Sequence, residues 1–346
     1  MHIALWILLP TLTLILTGFV YQRIGGHRDC LRYAGAGRWV TIGEGCRLYL
    51  LEQGSGGPTV LFEAGIGATN LNWRHIQKAV ARFTGTASYD RGGLGFSSRC
   101  RTARTPGNIA LELHDLLKSA DIKPPYILVG HSFGGLVMRR YALLYPDEVA
   151  GVVLVDPMRC EEWPPLNPSK QSQIELGKRL IRYAQPIAVC GLTRLAVTSL
   201  FRHSKRKKNK ISGNLAGATV SGGRHVISRI AGEVGKMPRE VWPVVAAHWS
   251  RPSFYEGMRS HIDSIPDTVR EMERAEPIRE IPVMVLTPGK SSPLSAACLS
   301  RIGDNVHQVI APASEHWIHL DEPDLVIGSI REMVTAAATE SIAATV

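Results

Sequence analysis

No charged residue interrupts the chain between Ile3 and Tyr21, no CxxC pair occurs anywhere in it, and no Cys/His group shows metal-ligand spacing. Aromatic residues make up only 7% of the 346 positions. Each scarcity removes a class of function. Without clustered soft or imidazole ligands no structural or catalytic metal is expected. The six cysteines (Cys30, Cys46, Cys100, Cys160, Cys190, Cys298) read as scattered core or surface thiols, with a Cys46–Cys100 disulfide left open for an oxidising compartment. The net charge of +10 would suit a polyanion, yet no aromatic interleaving or binding motif accompanies it, so no nucleic-acid partner is expected. The positive excess is local to one segment. Met158 to Glu280 holds 21 Lys and Arg against 12 Asp and Glu, whereas the remainder holds 19 against 18.

The uncharged run has its own meaning. About 20 mostly apolar residues span a bilayer as a helix, and the run from Ile3 to Tyr21 just reaches that, with Trp6 and Tyr21 suited to the interface. A secretory signal is the competing reading. It lacks a leading Lys or Arg and a following Ala-x-Ala-like site, so residues 1–22 are read as a single N-terminal membrane anchor. Arg23, Arg28, Arg32 and Arg38 follow it, and the positive-inside rule would leave the rest of the chain in the cytoplasm.

The chain as a whole is 45% hydrophobic, enough for a sizeable core. Trp39–Ile42 and Arg47–Leu50 flank Gly43-Glu-Gly as a hairpin-like pair. Buried strands are expected at Thr59–Ala64, Thr86–Asp90, Tyr126–Gly130, Gly151–Asp156, Ile281–Leu286 and Val306–Ile310. Helical patterns lie between them, over 71–83 and again after Asn108, which is read as a cap. Strands alternating with helices argue for an α/β chain with a mostly parallel central sheet flanked by helices. The alternation stops between Asp156 and Ile281, where helical patterns such as Gln171–Arg182 and Val241–His248 take over. The expected division is therefore 39–157 and 281–340 for the two parts of the core, with 158–280 as an inserted cap. Within the cap, apolar residues 195–201 run into the basic stretch 202–210, a pattern of either a membrane-surface contact or a solvated loop.

The chemistry-bearing stretch is Gly130-His131-Ser132-Phe133-Gly134. An apolar strand precedes it and a helical pattern through Val137, Tyr141 and Leu144 follows, so the glycines would let a strand turn sharply into a helix with Ser132 exposed at the tip. A hydroxyl needs a base within reach to act as a nucleophile. Of twelve histidines, most, such as His75, His114 and His248, have no motif around them. His316 differs, because it lies in a loop-to-helix transition after the last strand, at the sheet edge where open α/β folds place their sites. His319 reads as a packing or capping residue at the entry to the last helix.

In order along the chain stand Phe-Glu-Ala-Gly-Ile-Gly at 62–67, Tyr-Asp-Arg-Gly-Gly-Leu-Gly-Phe-Ser at 89–97, Gly-His-Ser-Phe-Gly-Gly at 130–135, Val-Leu-Val-Asp-Pro at 153–157 and Glu-His-Trp-Ile-His-Leu-Asp-Glu-Pro at 315–323. Together these resemble the α/β-hydrolase fold family. The resemblance implies that Ser132 is the nucleophile, His316 the base and then acid, and the backbone N–H groups of Phe133 and Ile66 the oxyanion donors. Where the family usually has His-Gly, this chain has Ala64-Gly65, which changes a side chain but not the amide. Asp90 and Arg91 match a family turn motif and would brace that loop. The triad acid departs from the common pattern, because Ser291 and Ser292 occupy the loop after the Ile281–Leu286 strand and no carboxylate lies there. Asp156, at the end of the strand after the elbow, is the candidate, with strand-end capping as its structural alternative and Asp304 as the weaker rival.

The expectation is a cofactor-free serine hydrolase cleaving an ester, amide or thioester of a small or apolar acyl compound. Its partners would be that substrate and a membrane, through residues 3–21 and the basic stretch 202–210. The same residues would also suit a perhydrolase, a C–C bond hydrolase or an acyltransferase. A non-catalytic ligand-binding protein of the same fold is the rival from another class.

Overall fold

The expected strands form one eight-stranded sheet in a computed structural model that describes residues 2–159, 168–206 and 232–343. In chain order the strands are β1 (Arg38–Ile42), β2 (Cys46–Gln53), β3 (Thr59–Glu63), β4 (Thr86–Asp90), β5 (Tyr126–His131), β6 (Val149–Val155), β7 (Val283–Pro288) and β8 (Val306–Ala311). Their spatial order is β1-β2-β4-β3-β5-β6-β7-β8. The β1–β2 hairpin turns through Gly43–Gly45 and joins β4 antiparallel, and every pairing from β4 to β8 is parallel.

Described helices are α1 (His2–Tyr33), α2 (Arg74–Val80), α3 (Pro106–Ala120), α4 (Phe133–Leu144), α5 (Pro168–Val189), α6 (Leu192–Arg206), α7 (Trp242–Trp249), α8 (Pro252–Asp263), α9 (Ile265–Glu273), α10 (Ala296–Ile302), α11 (Ile318–Asp321) and α12 (Pro323–Ala343). Their residues cluster into two compact units: Gly37–Pro165 with Asp263–Val346, and Met1–Ala36 with Leu166–Ile262. The first holds the sheet; the described part of the second is helical. Residues 263–280, read from sequence as cap, cluster with the sheet.

Side chains of a strand point alternately to its two faces, and this decides which layer each core residue joins. Leu61, Leu128, Val152, Leu154 and Val285 pack with Leu113, Leu116 and Leu117 of α3 and with Met138 and Tyr141 of α4. Val60, Phe62, Ile127, Val129, Val153 and Val155 face the other way, onto Ile76 and Val80 of α2 and Val326, Ile330 and Met333 of α12. Both faces are covered, which is why the central strands read as continuous apolar runs.

Two local expectations change. Thr105, not Asn108, caps α3: its hydroxyl accepts the Asn108 backbone N–H at 3.4 Å, and Pro106 fills the first helical position, where a missing N–H costs nothing. Cys46 and Cys100 are joined as a disulfide, the pairing left open by the sequence.

Candidate active site

Parallel strands deliver their carboxyl ends to one edge of the sheet. The β5–β6 register sets His131 opposite Val155, so Ser132 and Asp156 leave neighbouring strands side by side. Ser132 has φ 54° and ψ −118°, a conformation that a side-chain-bearing residue rarely adopts. Packing holds it there. The Ser132 N–H donates to the Val155 carbonyl at 3.1 Å, and its own carbonyl accepts from Gly135 and Met158, each at 3.0 Å. The flanking glycines are sterically required. A Cβ on Gly130 would stand 2.5 Å from the Gly134 carbonyl oxygen, and one on Gly134 would stand 2.5 Å from that of Glu63. Phe133 opens α4, where backbone N–H groups have no carbonyl partner within the helix.

The imidazole and carboxylate meet. His316, between β8 and α11, places Nδ1 2.7 Å from Asp156 Oδ2, with both side chains about one-fifth exposed. Asp156 is held at φ 40°, its N–H donating to Leu286 on β7 at 2.9 Å. Asp304 precedes β8 and therefore lies at the opposite edge of the sheet. His131, beside the elbow serine, reaches the His316 main-chain carbonyl with Nε2 at 2.9 Å, and the two rings stand 4.7 Å apart. A carbonyl only accepts, so that His131 nitrogen carries a proton. Among the described residues the Ser132 hydroxyl makes no hydrogen bond.

The loop after β3 lies against this group: a Cβ on Gly65 would be 3.6 Å from Ser132 Cβ and 3.1 Å from His131 Nδ1. Its support is a buried guanidinium. Arg91 donates from Nη1 to Glu63 Oε1 at 2.5 Å and to the Ala64 carbonyl at 2.6 Å, and from Nη2 to the Gly65 carbonyl at 2.5 Å. The same guanidinium lies 5.3 Å from the centre of the Phe133 ring. Tyr89 donates its hydroxyl to the other oxygen of Glu63. Burial pushes the Glu63 carboxyl up, with Arg91 and Tyr89 pulling it back down. Asp90 ties the surrounding turns, accepting from the backbone of Asn70 at 3.0 Å and of Phe96 at 2.9 Å.

His319 is buried between Trp73 and His131, at ring separations of 4.9 and 4.3 Å. Burial, and then the neighbouring His316, push its pKa down to about 3, so it stays neutral. His114 is likewise occupied structurally, stacked on Tyr145 and 3.1 Å from Glu148. Sequence reasoning missed Glu63, Tyr89 and His131. The available signal was Glu63 itself, an acid ending a buried strand, which demands a buried cation.

The fold has known counterparts. The chain matches the α/β hydrolase fold family over residues 58–214. It has the α/β-hydrolase fold. A Bacillus subtilis protein, YqjL, itself uncharacterized, is 37% identical over 115 residues, which are 33% of this chain and 46% of YqjL. An Arabidopsis thaliana 1-acylglycerol-3-phosphate O-acyltransferase is 33% identical over 105 residues, 29% of this chain and 25% of that one. The chain thus spans less than half the length of these relatives. Among solved structures, a Salmonella enterica protein provisionally assigned as an acyltransferase superposes with TM-score 0.64 at 18% identity, covering 87% of this chain and 95% of that one. The epoxide hydrolase CorEH gives 0.57 at 17% identity, over 87% and 98%. At such identities the α/β-hydrolase likeness speaks for the fold alone.

Proposed function

We propose that this α/β-hydrolase-fold chain is a serine hydrolase that cleaves an ester, amide or thioester through an acyl-enzyme. The observation that carries the proposal is the 2.7 Å contact of His316 with Asp156 beside the strained Ser132. Asp156 holds the imidazole with Nδ1 protonated, so Nε2 is the basic nitrogen available to the serine. Ser132 attacks the carbonyl as His316 takes its proton. The oxyanion is held by the Phe133 and Ile66 amides, and His316 then protonates the leaving group. Water, activated by the same imidazole, releases the acyl group. No metal or organic cofactor takes part. No carboxylate lies in the loop after β7, a feature that would suit a non-catalytic protein of the same fold, and the Asp156 contact with His316 supports catalysis instead.

A fluorophosphonate probe tests the reading, because it labels only an activated serine. Labelling of the native chain that disappears in Ser132→Ala is the expected result, and an unlabelled native chain would refute it. Acyl transfer to an alcohol instead of water is the second reading, favoured by the Arabidopsis relative. Partition of the acyl group between water and added glycerolipid alcohol distinguishes the two.

The acyl group is proposed to be apolar and the protein membrane-attached through residues 3–21. The described part of that run supports this, since Trp6, Leu8, Leu12, Leu14 and Leu16 are all exposed. Among the described residues no single helix is long and apolar enough to cross a membrane. Equal turnover of acetyl and long-acyl esters would count against a lipophilic substrate.

A further inference from the structure

The helical unit is inside out at one corner. Helix α6 turns Arg194 and Phe201 inward, where both are buried, and leaves Leu192, Leu195 and Leu200 more than 40% exposed on its other face. Arg194 is held inside by Asp29 at 2.5 Å and Gln22 at 2.9 Å, both on α1. Helix α5 does the same with Leu180, Tyr183 and Ile187, spaced i, i+3, i+7 along one exposed stripe. The two helices meet at 97° around Cys190–Gly191 and, as a bent pair, have the length and composition of a broken or re-entrant membrane segment. A water-facing corner would carry charge on these positions.

The depth of the corner follows from its contact with α1. A Cβ on Gly18 would stand 2.2 Å from the Cys190 carbonyl oxygen, and one on Gly191 would stand 3.0 Å from the Tyr21 ring. Gly18 lies inside the uncharged run, and the first charge beyond it is Arg23. Five residues of helix make about 7.5 Å, so the corner packs on the apolar side of that charge. Any medium that receives the run around Gly18 receives the corner too.

The partner is identified by charge. Between Glu175 and Glu233 the chain has twelve Lys and Arg and no Asp or Glu. An apolar ridge with the exposed Arg179 and Arg182 on the same helix as Leu180 and Tyr183 complements an anionic lipid surface, where the ridge enters the acyl boundary and the cations meet phosphates. We infer that the α5–α6 corner is a second membrane-inserting element, immersed beside α1, so that the helical unit binds an anionic bilayer through both. This rests on the proposed membrane attachment of residues 3–21 and is independent of the proposed catalysis.

The test uses the full chain with Cys30, Cys160, Cys190 and Cys298 replaced by serine and an environment-sensitive NBD fluorophore placed at Leu12→Cys or at Leu195→Cys. Vesicles of mixed phosphatidylcholine and phosphatidylglycerol, with and without a doxyl-quencher lipid, supply the bilayer. Both probes are expected to brighten several-fold and to be quenched by doxyl lipid, with weaker Leu195 signal on purely zwitterionic vesicles. A protected Leu12 with an aqueous, unquenched Leu195 would overturn the corner's insertion while sparing the anchor. Aqueous signals from both would overturn the anchor and the corner together. Protection of Leu195 without vesicles would assign the ridge to a second copy of the chain and also overturn the inference. Fluorophosphonate labelling of the same samples reports on catalysis separately.

Discussion

Replacing Arg91 with lysine should lower kcat about 10²–10³-fold while leaving KM within a few-fold, the loss expected for one misplaced oxyanion donor. In a trans peptide the carbonyl and the following N–H point in opposite directions. Arg91 captures the Gly65 carbonyl at 2.5 Å, so the Ile66 N–H of the same peptide plane is turned away from the guanidinium. Gly65 abuts Ser132 on the other side, which is where an oxyanion would form. The 5.3 Å contact with the Phe133 ring couples the same cation to the residue carrying the second amide. Lysine keeps the charge beside Glu63 but gathers its three N–H donors on one nitrogen, which cannot reproduce the planar fork that spans a carboxylate and two carbonyls. A donor that acts on the developing charge lowers kcat rather than substrate binding, hence the predicted split. Arg91→Met is a different experiment. It strands a carboxyl that is 1% exposed, and breaking such a pair costs about 3–5 kcal/mol, so unfolding would dominate the result. The assay is steady-state kinetics on short-chain p-nitrophenyl esters, with thermal unfolding of each variant alongside. A folded Arg91→Lys with native kcat, or one whose loss lies wholly in KM, would refute the reasoning.

Three further outcomes follow from the same geometry. Asp156→Asn should cut kcat by about 10⁴-fold through loss of the orienting carboxylate, whereas Asp304→Asn, at the far edge of the sheet, should leave ester turnover unchanged. Gly134→Ala forces a methyl to 2.5 Å from the Glu63 carbonyl oxygen, and should cost about 1–3 kcal/mol in chemical denaturation and depress activity by displacing the strand end that leads to Ile66. Buried His319 binds a proton in the unfolded chain below about pH 6.5 but in the folded chain only near pH 3. Its neutral burial is therefore without penalty above pH 6.5, and folding is weakened as pH falls, by about 2 kcal/mol at pH 5. Denaturant titrations of native protein and His319→Gln at pH 5 and 7.5 should show the smaller pH loss in the variant.

The features legible in the sequence were those set by local pattern. Alternating strand faces and glycines on both sides of Ser132 are short-range constraints, so the parallel sheet and the elbow could be read in order. Arg194 shows the limit. Within the 192–206 segment it is one cation among many, and only the arrival of Asp29 and Gln22 from α1 explains why it is buried and the neighbouring leucines are not. Glu63 carried half of its signal, as an acid ending a buried strand, but its partner Arg91 arrives from the adjacent strand end.

Asp156 lies between these cases. It is a strand-end acid like many others, and chain order alone left its role open. The sheet register shows where it stands. β5 and β6 are hydrogen-bonded neighbours with His131 opposite Val155, so a residue one step past the end of β6 stands beside Ser132 whatever the loop after β7 contains. An acid at the end of β6 instead of after β7 therefore needs no change in the sheet order, only a His316 ring turned toward β6. The His131 contact to the His316 carbonyl fixes the main chain from which that ring swings. The proposed role of Asp156 leaves no catalytic duty for Ser291 or Ser292, where an acid is commonly found: substituting either should leave kcat unchanged, and a large loss at Ser291→Ala would count against Asp156 as the acid.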